Sequence, residues 1–161
     1  MKIAFCNMLK GAFALLLLAP LPLVASGQHA GGHGSEPGAD FGVPGQPEAA
    51  RRSIVVEAGD DMRFRPAHIR VRRGETVRFV VRNRGTQTHE FVLGRSRELT
   101  EHAALMRRYP DMEHSDPNMV RVAPGQEATL TWTFTRAGQV EFACLIPGHF
   151  EAGMRGRIRV R

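Results

Sequence analysis

From Ser53 onward the chain alternates apolar and polar positions. Val77, Phe79 and Val81 fall on one side of a segment and Arg78 and Arg82 on the other. Ala128, Leu130, Trp132 and Phe134 alternate with Thr129, Thr131, Thr133 and Thr135, and Ile158 and Val160 with Arg157, Arg159 and Arg161. A period of two is that of a strand with one buried face. Further strands are expected at 53–57, 62–64, 68–72, 89–93, 118–122 and 138–144. Arg73-Gly74, Asn83-Arg84-Gly85, Pro124-Gly125 and Ala137-Gly138 mark turns between several of them. Seven or eight short strands over about 109 residues predict an all-β fold, an antiparallel β-sandwich. A chain of that size buries roughly two-thirds of its surface, enough for one core. One stretch breaks the rhythm. Glu98 to Arg108 carries Leu99, Ala103, Leu105 and Met106 without alternation, which predicts a short inserted helix followed by a Pro- and Met-rich loop to Met119.

The first 52 residues follow another pattern. Lys2 and Lys10 precede a 14-residue apolar run, Gly11 to Val24, closed by Ala25-Ser26-Gly27. That layout predicts a signal peptide over 1–26 and a periplasmic location. The run is interrupted by Pro20 and Pro22 and falls short of the ~20 residues of a membrane span, so no membrane attachment is expected after cleavage. Residues 27–52 are rich in Gly and Pro without periodicity and predict a disordered tether, leaving 53–161 as the folded domain. His29 and His33 lie in this tether, either as solvated filler or as a weak copper-catching arm.

Charge and cysteine count narrow the function. The chain has 22 Lys+Arg against 16 Asp+Glu, and loss of Lys2 and Lys10 with the leader lowers the excess. With aromatics at 7%, one Trp and one Tyr, nucleic-acid binding is disfavoured. Arg70, Arg72, Arg78, Arg82, Arg157 and Arg159 are expected to form one basic outer face, either a solvated surface or a dock for an acidic redox partner. Cys6 leaves with the leader, so Cys144 stands alone as an intermolecular bridge, a stray thiol or a ligand.

Cys144-Leu-Ile-Pro-Gly-His149-Phe-Glu-Ala-Gly-Met154 favours the last of these. Four residues separate Cys from His and His from Met, and Gly148 and Gly153 permit the bends that turn all three inward. Val140, Phe142 and Cys144 share a strand face, and His89 opens another strand. One thiolate, two imidazoles and a thioether are the ligands of a type 1 copper centre, a trigonal His2Cys set with a weak axial Met. His68 is expected on the surface, and Glu90 on the side of its strand opposite His89. The inserted segment gathers His102, Met106, Met112, His114 and Met119, either as a second, softer Cu(I) site or as packing and loop filler.

Over residues 53–161 the sequence resembles the cupredoxin family. The resemblance rests on Phe64-Arg-Pro66-Ala-His-Ile69-Arg-Val71-Arg-Arg-Gly74-Glu75-Thr76-Val77, on His89, and on the Cys144/His149/Met154 loop, which is similar to the rusticyanin type. It implies a Greek-key sandwich with His89, Cys144, His149 and Met154 on copper. The Gly/His-bearing leader, His89-Glu-Phe-Val-Leu-Gly94 and the helix with its Met-rich loop look most like periplasmic copper-tolerance cupredoxins. The expected role is therefore copper tolerance, with soluble electron transfer as the alternative, and the protein is expected to be monomeric. An oxidase or nitrite reductase needs further His-x-His copper ligands, and no such pair occurs in the sequence, so no enzymatic activity is expected.

Overall fold

Alternating Thr/apolar and Arg/apolar segments resolve into two five-stranded sheets packed face to face. The computed structural model describes residues 40–110, 112 and 114–161. In chain order it contains β1 (Gly42–Pro44), β2 (Arg52–Gly59), β3 (Arg63–Arg65), β4 (His68–Val71), β5 (Thr76–Asn83), β6 (His89–Gly94), α1 (Ser96–Arg108), β7 (Met119–Val122), β8 (Glu127–Phe134), β9 (Gly138–Ala143) and β10 (Arg155–Val160). The first sheet has the order β1-β8-β5-β2-β3 and the second β4-β10-β9-β6-β7. Neighbours in each sheet are mostly distant in sequence, as a Greek-key sandwich requires. The sandwich is not purely antiparallel as the alternation predicts. β2 pairs with β5, and β4 with β10, in parallel, because their connections cross from one sheet to the other rather than turning back as hairpins.

The core lies between the sheets. Phe79 and Phe91 meet at 5.4 Å between ring centroids, Phe91 and Phe142 at 4.9 Å, and Phe64 and Phe142 at 5.4 Å. Burial of each such side chain contributes about 1.5–3 kcal/mol. β6 differs from the other strands in being buried at all six positions. His89, Phe91 and Leu93 face the sandwich core, while Val92 faces α1. Leu99, Ala103 and Met106, spaced i, i+4, i+7 on α1, pack with Val92, Ala143 and Leu145 in a second apolar cluster. The helix starts two residues before its expected start at Glu98. The Glu98 carboxylate accepts the Arg95 N–H at 2.9 Å there, satisfying a donor at the helix start.

The tether expected over 27–52 ends earlier than its composition suggests. β1 joins the edge of the first sheet against β8, and the Phe41 ring is fully buried 5.5 Å from Trp132. Gly42 permits this docking, since a Cβ there would stand 2.3 Å from Trp132 Nε1. Asp40 pairs with Arg95 at 2.8 Å. The folded domain therefore includes residues 40–52. The leader 1–26 and the remaining tether, with His29 and His33, lie outside the described residues.

Candidate metal centre

His89, Cys144 and His149 come from two different parts of the fold and bring their donor atoms within 4.8 Å of one another. β6 supplies His89 from its first position. Cys144 follows the last residue of β9, the neighbour of β6, and continues the inward face of Val140 and Phe142. His149 and Met154 lie on the connection from Cys144 to β10. Gly148 and Gly153 adopt φ of +89° and +91°, the left-handed bends that the sequence places there. The loop is then closed by its own backbone: Met154 N–H donates to His149 O and Cys144 N–H to Met154 O, both at 3.0 Å. Side chains hold it from outside. Arg63 Nη1 donates to Ala152 O at 2.7 Å, Glu151 accepts the Gly148 N–H at 3.0 Å, and Arg107 of α1 pairs with Glu151.

The segment leading into His89 is fixed as firmly. The buried Asn83 amide donates to Gln87 O at 2.6 Å and Val122 O at 3.0 Å, and its oxygen accepts the Gly85 N–H at 2.9 Å. Asp60 accepts the N–H groups of Thr86 at 2.9 Å and Gln87 at 3.2 Å. Those hydrogen bonds, with that of the Thr86 hydroxyl, hold its carboxyl below the usual aspartate value.

The chemistry of the cluster fits a copper ion. His89 is fully buried and neither ring nitrogen has a hydrogen-bond partner, a costly state for an imidazole unless a ligand completes it. Burial, reinforced by the charge of His149, lowers the His89 pKa, and burial also lowers that of His149, so both rings present free lone pairs. Cys144 Sγ lies 3.3 Å from His149 Nδ1 and accepts the Glu90 N–H at 3.3 Å. Burial pushes this thiol up to about 12 despite the backbone donors of Glu90 and Ile146, so a nearby cation is needed to make it a thiolate at neutral pH. Met154 is fully buried in the same core cluster as Cys144. Of the four, His149 is the most accessible, at 8% exposed.

The second expected group assembles only in part. Met106 is 4% exposed and packs under α1, and Met119 packs against the same apolar cluster. An amphipathic helix must bury one face, which takes the Met106 thioether, and Met119 packs against that face from the start of β7. His102 and His114 do meet, with ring centroids 4.6 Å apart, and Met112 lies beside them. Asp116, which sequence reasoning missed, joins them. His68 is exposed and Glu90 leaves β6 opposite His89, both as expected, but Glu90 is buried at 2% exposure. The six arginines do not form one face. Arg78 and Arg82 belong to β5 in the first sheet, whereas Arg70, Arg157 and Arg159 are register neighbours in the second.

Comparison with known proteins agrees with this geometry. The family described as copper binding proteins, plastocyanin/azurin family, matches residues 50–161. The copper-resistant cuproprotein CopI of Rubrivivax gelatinosus is 55% identical over 133 residues, 83% of this chain and 81% of that protein. CopI of Pseudomonas aeruginosa is 40% identical, covering 92% of this chain and 95% of its own. Among solved structures, auracyanin B superposes with a TM-score of 0.62 at 19% identity, over 76% of this chain and 99% of its own. The auracyanin of Roseiflexus castenholzii gives 0.60 at 21% identity, over 70% and 98%.

Proposed function

The chain belongs to the plastocyanin/azurin family of copper-binding proteins, and from that premise we propose that it is a periplasmic copper-tolerance protein with one type 1 copper held by His89, Cys144, His149 and Met154. The observation that carries the site is His89, whose two buried, unpartnered nitrogens sit beside a buried thiol and a second imidazole. Copper bound there supplies one-electron chemistry between Cu(I) and Cu(II). The protein's part is to hold the donors in place. Neutral His89 and His149 and the Cys144 sulfur would hold the ion, with the buried Met154 thioether as a weaker fourth donor. A loop closed by its own hydrogen bonds resists the change of geometry that either oxidation state would otherwise prefer.

The tolerance role is supported by relatives named copper-resistant cuproproteins that align with more than four-fifths of this chain. The sequence has no His-x-His pair of the kind that oxidase copper clusters use, and the role we propose is binding and redox cycling. The test is growth on copper. A deletion strain is expected to become copper-sensitive, wild-type protein to restore growth, and Cys144→Ser to fail. Equal growth of the deletion strain and its parent at all copper concentrations would remove the tolerance role.

Soluble electron transfer is the second reading, favoured by His149 being the least buried of the four candidate ligands, at 8% exposed. The arginines do not add to it. Arg159 and Arg161 lie five and seven residues beyond Met154. At ~3.3 Å per residue, β10 carries them away from the metal, so an acidic partner docked there would sit far from His149.

A further inference from the structure

We propose that His102, His114 and Asp116 form a second metal site, separate from the buried centre, that takes a divalent ion with nitrogen and oxygen preference, Cu(II) in a copper-exposed cell. One donor atom from each lies within 4.8 Å of the other two. His102 projects from the second turn of α1, while His114 and Asp116 come from the loop that returns the chain to β7, so the site exists only when helix and loop are folded together. Two ligands about 2.0–2.2 Å from one ion stand about 3–3.6 Å apart. His114 Nε2 and Asp116 Oδ2 are 3.9 Å apart, and closing on an ion takes side-chain adjustment on the order of 1 Å.

The His114 ring is already placed for binding. His114 Nδ1 lies 3.4 Å from the Met112 carbonyl, and Nε2 lies 3.9 Å from Asp116 Oδ2. A ligand histidine ordinarily donates its other nitrogen to a carbonyl or carboxylate in this way. Nε2 is buried and has no hydrogen-bond partner. A second buried polar atom is also unpartnered. Glu90, on the α1-facing side of β6, is 2% exposed, and its Oε2 has no partner. Arg121 stands 3.6 Å from Glu90, and His114 lies near enough to interact with it electrostatically. A cation held at His114 would add a favourable charge near this carboxyl group. Burial and the neighbouring His114 also keep His102 in its neutral, ligating form.

The donor set decides the metal. With Met106 and Met119 committed to packing, Met112 at the rim is the one thioether of the expected set left beside the imidazoles. Two imidazoles and a carboxylate suit a borderline divalent ion, and Cu(II) binds such sets more tightly than the other first-row divalents. This is the reverse of the Cu(I) preference expected from the methionines.

The test compares purified full-length protein, its buried centre loaded, with His114→Ala and Asp116→Asn after dialysis against copper sulfate. His29 and His33 are common to all three and cancel in the comparison. Wild type is expected to hold one more Cu(II) per chain than His114→Ala. That ion should give an EPR signal with wide parallel hyperfine splitting, with the Cys144-dependent visible band unchanged. Asp116→Asn should bind it at least about tenfold more weakly. Cys144→Ser should retain this ion, which separates the fate of this site from that of the buried one. Equal copper content in wild type and both variants would overturn the proposal. So would loss of the ion in Met112→Leu but not in Asp116→Asn, because the site would then be a soft-sulfur one.

Discussion

The backbone N–H of Glu90 donates to Cys144 Sγ at 3.3 Å, joining the strand that carries one candidate ligand to the sulfur of another. Because β6 is covered on both faces, this donor cannot swing away or exchange its partner for water. The sulfur is thereby oriented before any metal arrives, in a thiol state that only a bound cation converts to thiolate.

Cys144→Ser is expected to abolish the intense visible absorption of the Cu(II) protein, which arises from sulfur-to-copper charge transfer. The apoprotein should still fold, since Ser offers a similar volume and an oxygen that accepts the same Glu90 N–H. The cost of a buried hydroxyl is at most about 1–3 kcal/mol. Absorption and circular dichroism spectra of the variant check both halves, and a Ser variant that kept its colour would eliminate the assigned centre.

Met154 should set the reduction potential without being needed to retain the metal. Met154→Gln places an oxygen donor in the axial position, stabilises Cu(II) and should lower the potential. Met154→Leu removes the donor and should raise it. Voltammetry of the two variants reads the opposite shifts, and loss of copper from a folded Leu variant would show that the axial role is wrong.

β1 should contribute measurably to stability although it is three residues long. Phe41→Ala removes a ring buried against Trp132 and is expected to cost about 3–5 kcal/mol, and a chain beginning at Ser53 should lose at least as much. Urea denaturation reads the effect. Equal midpoints for the chain beginning at Ser53 and the full chain would put the domain boundary at Ser53 after all.

Asp60 links acid stability to the His89 side of the site. Its folded pKa lies below the value of 3.8 that it has when unpaired, so its contribution is present above that value. The contribution is lost as pH falls through the folded value. Asp60→Asn cannot titrate, so its melting temperature should fall less than that of wild type between about pH 4 and pH 2, and the two curves should converge. Parallel curves would refute the link.

The strands with strict alternation, β5, β8 and β10, were legible because one buried face imposes a period of two on the sequence. The Cys144–Met154 segment was legible because three donors and two hinge glycines lie within eleven residues. β1 was not, since three residues cannot show a period and Gly42 reads as a breaker until Trp132 is placed beside it. The burial of Glu90 was hidden for a related reason: it depends on α1 lying over β6, a tertiary event with no local trace. Asp116 was missed because its partnership with His102 joins the middle of a helix to a loop, although the His114-x-Asp116 spacing was a signal. Met106 and Met119 group with the histidines in the sequence because proximity along the chain does not say which side of a helix or strand is buried.

The four sheet edges are all short: β1 and β3 have three residues, and β4 and β7 have four, whereas the strands between them have six to eight. Pro44 ends β1, Arg63 and Arg65 flank β3, and Arg70 and Arg121 stand on β4 and β7. An edge of this kind gives an incoming strand too few free backbone groups, and too much positive charge, to continue the sheet. Crowded copies of this chain should therefore remain dispersed instead of joining into fibrils, a protection that depends on where the strands stop and not on whether metal is bound.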